Sequence, residues 1–279
     1  MVNTAAVKQY DGLKYSGDHH DAFHLAHLMR LGILPTGYIY PKEQRAIRDL
    51  LRRRLFLVRT ASAQLISAQS QIWRSAGLRI SSGDLRKPGF VVPEVTGYTR
   101  QAVQAELVID QSIQQQIDAL EKSAHQAVKL TEAFKILQTV TGIGKILGLT
   151  IMLETGTIDR FAGPGNYASY CRTVDSKRTS NGKKKGEGNA KAGNQYLSWA
   201  FSEAAHFALR FEPLAQRFYE RKKAKTNGII AIRAVARKLA RATWMMLKHQ
   251  VPYDAKLMFP QSVRSVEVNQ YGVWYNQRL

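Results

Sequence analysis

The sequence predicts a mainly α-helical protein, and three observations carry that prediction. Apolar residues recur at helical steps, breaker-rich segments separate the periodic stretches, and almost no alternating strand pattern is evident. The first helix is expected within GDHHDAFHLAHLMRLGILP, where Asp18 caps or opens it. Ala22, Leu25, Ala26 and Leu28 supply its apolar side, and Gly32 with Pro35 stops it. Beyond Pro41, Leu51, Val58, Leu65 and Ile72 stand seven residues apart among six arginines, which predicts a long amphipathic helix to about Ser75. Glycines and prolines between Ala76 and Thr99 then turn the chain. Val103, Leu107, Ile113, Ile117, Leu120 and Ala124 predict a second long helix over 100–137. Each of these helices needs an apolar partner and its neighbour is the nearest one, so the pair reads as an antiparallel coiled-coil arm. Short helices joined by Gly-rich turns follow to Leu209. One further helical stretch over 214–250 turns Ile232, Val235, Leu239 and Met246 inward and carries Arg233, Arg237 and Arg241 as a basic stripe on its other side. No short internal repeat is present.

Composition narrows the class. Of 279 residues, 41 are Lys or Arg and 21 Asp or Glu, a formal charge of +20, while 44% are hydrophobic. The chain can bury a core, so wholesale disorder is excluded, and its length suits two modest domains or one with an arm. With Cys171 alone there is no internal disulfide and no multi-cysteine zinc module, which points to a reducing cytoplasm, nucleoid-associated. No apolar run approaches a membrane span, so no membrane partner is expected. Surplus positive charge on a folded chain points to a polyanion, with nucleic acid the commonest.

Four segments carry candidate chemistry. In LQTVTGIGKILGLTIMLE, Gly142 and Gly144 separate two apolar helices and Lys145 starts the second, as in a helix-hairpin-helix that lets backbone N–H groups approach a phosphate. An ordinary helix–helix turn is the equal alternative, and Thr139 with Ile146 excludes a Walker loop. In VDSKRTSNGKKKGEGNAKAGNQYL, Lys177, Arg178, Lys183, Lys184, Lys185 and Lys191 surround small hydroxyls, and Ser180 is a candidate nucleophile beside a held phosphate; the bland reading is a solvated, glycine-loosened loop. Asp18 and Asp21, spaced i and i+3, are candidate ligands for Mg²⁺, against their ordinary role at a helix start. His20, His24 and His27 share a helical face, so a histidine metal site is a further reading, with plain surface residues as its alternative. The stripe of Arg233, Arg237 and Arg241 is a phosphate contact or a solvated face.

Taken together, DHHDAFHLAHLMRLGILP, the segment from LQTVTGIGKILG through SNGKKKGEGNAKAGNQYL to SEAAHF, and IRAVARKLARATW resemble the transposases of insertion-sequence family one-hundred-ten, DEDD-type recombinases related to the pilin-gene invertases. The resemblance covers residues 18 to about 250. It implies the C-terminal end of a RuvC-like α/β domain over 1–40, the coiled-coil arm over 41–135, a transposase domain with its helix-hairpin-helix and serine loop over 136–250, and a tail over 251–279. It further implies that Asp18 and Asp21 are the last two acids of a Mg²⁺-holding set, and that Ser180 attacks the DNA backbone to form a phosphoserine link. The partners it implies are DNA, a noncoding guide RNA and further copies of the chain. Only 17 residues precede Asp18, so the family's first Asp and its Glu have no counterpart; an N-terminally truncated chain with little strand transfer of its own is the expectation. A non-catalytic nucleic-acid-binding protein that clamps phosphates with the turn and the basic helix is the alternative function.

Overall fold

The computed structural model describes residues 2, 7, 17–127, 131–174, 178–181, 183–186 and 192–260. It divides the chain into two compact units, Met1–Arg45 and Ala46–Leu279. Helices dominate, and among the described residues the only strands are two short ones joined as a hairpin.

In the first unit, helix α1 (Asp18–Arg30) starts one residue earlier than a capping role for Asp18 requires: Gly17 holds the cap position, and Asp18 opens the first turn. Asp18 and Asp21 at its start and His27 and Arg30 at its end complement the helix dipole. Gly32, at φ 70°, closes it in the left-handed region that a residue without Cβ enters freely. No residue of α1 is buried; Leu25 and Leu28 are half-buried, while Phe23 and Met29 are exposed.

The second unit is built on two long helices and a bundle. Helix α2 (Lys42–Ala76) buries Leu51, Leu55, Ala61, Leu65, Ala68 and Ile72, so the expected seven-residue spacing holds except at Val58, which is half-buried. Its partner α4 (Gly97–Ala127) buries Val103, Asp110, Ile117 and Ala124, an unbroken seven-residue series with a carboxylate in one core position. The pairing is antiparallel. Arg54 bonds Glu121 near one end, and Ser67 Oγ and Gln71 Nε2 both donate to Glu106 Oε1 toward the other. The described part of α4 ends at Ala127, inside the expected span of 100–137. A separate helix α5 (Glu132–Gln138) begins behind Thr131, whose side chain accepts from Phe134 N. A Thr cap followed by Glu132 is a start signal that the apolar spacing through residue 137 concealed.

The breaker segment between α2 and α4 is more than a loop. Short helix α3 (Ser82–Leu85) and the turns after it bury Leu85, Val92 and Val95 against Leu65, Ala68, Ile72 and Val103, giving the tip of the helix pair its own small core. Arg86 reaches back with Nε and Nη2 to both carboxylate oxygens of Asp110, each at 2.9 Å, and so neutralises the one polar member of the α4 series.

The main core gathers α5, α6 (Lys145–Thr155), a 3-10 turn at Ile158–Arg160, α7 (Pro164–Tyr170), α8 (Gln195–Phe211), α9 (Pro213–Lys223) and α10 (Gly228–His249), with α11 (Ala255–Met258) closing one side. Helix α8 presents Ala200, Ala204, Ala205 and Ala208 inward, and such small residues let α6 and α10 approach closely. The expected stretch over 214–250 is two helices, broken at Ala224–Asn227, with Asn227 accepting from Ile230 N to cap α10. Cys171 lies fully inside this core, where burial pushes its thiol well up, so it packs and does not react. No helix among the described residues is long and apolar enough to cross a membrane.

Candidate nucleic-acid interface

Ser180 ends strand β1 (Arg178–Ser180), which pairs antiparallel with β2 (Lys183–Gly186). The register sets Ser180 opposite Lys183 and Thr179 opposite Lys184, with an irregularity between Arg178 and Thr179. Asn181 adopts φ 51° beside Gly182 in the sequence, and an Asn-Gly pair between two β-forming runs is the strongest short hairpin signal. The described part of the expected loose loop is therefore a tight hairpin. Its turn puts Ser180 next to the exposed Lys183 at the tip. Lys177 and Lys191 lie outside the described residues, and Arg178, Lys184 and Lys185 are placed by their strand positions.

The two ends of this segment are tied together. Asn194 N donates to Tyr170 O at 2.6 Å and Arg172 Nη2 donates to Gly193 O at 3.0 Å. Thr173 is held to Ala168 O through both its N–H and its hydroxyl, and Arg233 Nη2 donates to Arg172 O at 2.7 Å. Gly193 has φ 94°, and a Cβ there would stand 2.5 Å from Tyr170 O, so only glycine allows the two stems this close.

Beneath the stem lies an arrangement that sequence reasoning missed. Glu154, at the end of α6, is buried, and its carboxylate accepts from Arg52 of α2 at 2.6 and 2.8 Å and from Asn194 Nδ2 at 2.7 Å. Asn194 Oδ1 in turn caps α8 by accepting from Tyr196 N and Leu197 N, and Arg52 lies over the Tyr196 ring at 4.5 Å. The hydrogen bond that Arg52 donates to Glu154 raises Arg52's pKa above its ordinary value. A lone Glu after the apolar run of α6 was the signal in the sequence, since a charge there needs a partner from elsewhere in the chain.

At the glycine turn, Gly142 and Gly144 part company. Gly142 has φ 100° and is pressed against α8, where a Cβ would stand 2.5 Å from Ala204 O and 2.9 Å from Ala208 N. Its absent side chain serves helix packing. Gly144 and Lys145 are exposed, Gly144 capping α6 and Lys145 opening it.

The basic stripe of α10 is partly sunk. Arg233 is exposed, whereas Arg237 and Arg241 are half-buried. Arg237 Nε is buried with no hydrogen bond among the described residues. Burial, followed by the charges of Arg241, Arg221 and Arg237, pushes Lys238 down to about 8, while its ammonium donates to Met258 O at 2.9 Å. Burial and then Arg237 also lower Arg241. Lys238 Nζ also lies over the rings of Phe218 and Phe259, at 5.2 and 5.8 Å, and the charges that lower it are the neighbouring arginines, a setting an anion would favour.

Asp18 and Asp21 belong to the first unit and all the other candidates to the second. Both carboxylates stand in the first turn of α1, Asp18 exposed and Asp21 half-buried, and they suit part of a hard-cation site. Among the described residues no group of three or more His, Cys, Asp or Glu is placed to hold a metal ion, so two carboxylates are what this turn offers, and His20, His24 and His27 do not complete a set.

Part of the bundle, including the glycine turn and the hairpin, is similar to known proteins. Residues 134–220 match the family model described as Transposase IS116/IS110/IS902 family. Over 220 residues the chain is 23% identical to a Sinorhizobium fredii protein named "Putative transposase y4qE", covering 76% of this chain and 53% of that one. The chain thus spans about half the length of the curated relative it matches. Both matches support an insertion-sequence transposase.

Proposed function

We propose that the chain acts as an insertion-sequence transposase that cuts and rejoins DNA with Ser180 as the nucleophile. What supports this most is the placement of Ser180 beside the turn of the β1–β2 hairpin, opposite Lys183, within the stretch that matches the transposase family. In the proposed step Ser180 Oγ bonds to a backbone phosphorus while the bond from phosphorus to one deoxyribose oxygen breaks. The serine proton goes to solvent, and the departing oxygen takes up a proton as a sugar hydroxyl. The phosphoserine ester keeps the bond energy, so a second hydroxyl can reverse the step and rejoin the strand. Lys183, Lys184, Lys185, Lys177, Arg178 and Lys191 hold the phosphate, and Gly144 with Lys145 and the α10 arginines grip the flanking backbone. Asp18 and Asp21, as the end of a RuvC-like domain, would hold Mg²⁺ together with further oxygen donors, and bound Mg²⁺ supplies polarisation of the scissile phosphodiester. A guide RNA and further subunits complete the proposed assembly.

The test is covalent capture. Strand transfer by this chain alone is expected to be slight, but incubation with nicked DNA in Mg²⁺ should still give a protein–DNA adduct that survives denaturation, and Ser180→Ala should abolish it while binding changes by less than about threefold. A wild-type chain that binds DNA but never forms an adduct would favour the second reading, a phosphate-clamping protein without catalysis, which the arginines clustered around Lys238 support.

Binding itself carries a separate expectation. Affinity should fall by about a thousandfold between roughly 50 and 200 mM salt if six or more phosphates are neutralised. It should also fall as pH rises through 8, because a docked phosphate restores the proton that Lys238, at about 8, starts to lose there. Calorimetry at pH 8 in two buffers of different ionisation enthalpy should register net proton uptake, and Lys238→Met should remove it.

A further inference from the structure

At the end of α8 where the glycine turn is seated, two phenylalanine rings stand in solvent. Phe207 is 41% and Phe211 69% exposed, and the two lie one helical turn apart. Phe207 Cβ is 3.3 Å from the place a Cβ on Gly142 would take, so the rings adjoin the turn. We propose that Phe207 and Phe211, with Lys145 and Arg210, form a stacking platform for an unpaired stretch of DNA, an inference that rests on DNA being what the chain acts on.

Position and charge come first. Residues four apart on a helix share a face, so both rings are presented together. The stripe they make continues from the glycine turn, where exposed Lys145 opens α6. The Arg210 guanidinium lies over the Phe207 ring, 5.7 Å from its centroid, and neither Arg210 nor Lys145 forms a salt bridge among the described residues. Of the acids on this stretch, Glu212 is spent on capping α9, where it accepts from Leu214 N, and Glu203 stands a turn before Phe207, toward the opposite end of the helix. Apolar ring faces beside cations with no carboxylate partner suit a ligand that is flat, apolar in its faces and anionic along its backbone.

The size and spacing of the patch select among ligands. The exposed parts of the two rings offer about 200 Å² of apolar surface, far below the roughly 800 Å² per partner that a stable protein contact buries. A second copy of the chain is therefore poorly served by it, whereas one or two bases are well served. Bases inside a duplex are stacked on each other and hide their faces, so the strand must be unpaired. The rings also leave the helix about 6 Å apart along its axis, against the roughly 3.4 Å that each nucleotide advances in a duplex strand. An unpaired strand can stretch to that spacing and a duplex cannot. Cutting and rejoining DNA creates such a strand between the two steps, which favours DNA as its source.

The test uses the full chain and compares, by fluorescence anisotropy, a labelled oligo(dT) strand with a labelled duplex. Phe211→Ala should weaken binding of the strand at least about fivefold, and Phe207→Ala with Phe211→Ala should weaken it further. Duplex affinity should stay within about twofold, and Phe211→Trp should hold or tighten the strand. Because Phe211 is mostly exposed, its two variants should melt with the wild type, which separates lost stacking from lost folding. Equal losses on strand and duplex would overturn the platform. So would unchanged strand binding with a smaller sedimentation coefficient, the mark of a contact between copies, and so would a loss on oligo(U) without one on oligo(dT), which gives the rings to RNA. A strand-specific loss in a chain that never forms the Ser180 adduct leaves the platform standing and removes the cutting step. Adduct formation by a chain whose ring variants bind oligo(dT) like the wild type sinks the platform alone.

Discussion

Gly142→Ala is expected to cost about 3–5 kcal/mol of stability. Two independent effects add. At φ 100° an L side chain is strained by about 1–2 kcal/mol. The new Cβ would also stand 2.5 Å from Ala204 O and 2.9 Å from Ala208 N, and both are helix backbone that cannot rotate away. The turn must lift off α8, opening the main core where Val140, Ile143 and Leu147 pack against Ala204 and Ala208. For a unit of this size that is a drop of roughly 10 °C in melting temperature. Gly144→Ala is the control, since its Cβ would meet nothing within 4 Å. If the two variants melt together, close packing is not the reason for glycine at 142.

The second large effect is local to the tip of the long helix pair. Arg86→Met should cost about 2–4 kcal/mol, because it strands the carboxylate of Asp110, whose side chain is 4% exposed, among Val103 and Ile117. The lower part of that range is favoured by the half-exposed Arg86, which already shares its charge with water. Hydrogen exchange should rise over Leu65 to Asp110 and leave α8 and α10 unchanged. Asp110→Leu combined with Arg86→Met should recover the loss, since an apolar residue completes the seven-residue series of Val103, Ile117 and Ala124. A double variant as unstable as the single one would show that the ion pair does more than neutralise a buried charge.

How far the candidate site could be read from residues alone depended on whether its information was local. The Asn181-Gly182 turn and the small hydroxyls before it are a local hairpin signal, yet the glycines around them drew the reading toward a loose loop. Lys145 and Arg233 are exposed where a polyanion can reach them, as helical spacing implies, while Gly142 turned out to face α8. Arg237 and Arg241 were read as the outer side of their helix, but packing in the folded chain leaves both half-buried. The single helix expected over 100–137 is two, because apolar spacing continues through α5 and hides the start that Thr131 marks.

The sequence by itself determined the helical class, the two long partners with their seven-residue stripes, and the strongly cationic character, because each follows from periodicity or from counting charges. Only the tertiary structure decided that Asp110 needs Arg86, that Gly142 must lack a Cβ, and that Glu154 joins Arg52 to Asn194. Those partners are separated by 24, 62, 102 and 40 positions along the chain. A side chain's need for a counter-charge or for empty space is written in its own identity, but which distant residue meets that need is fixed only when the helices pack.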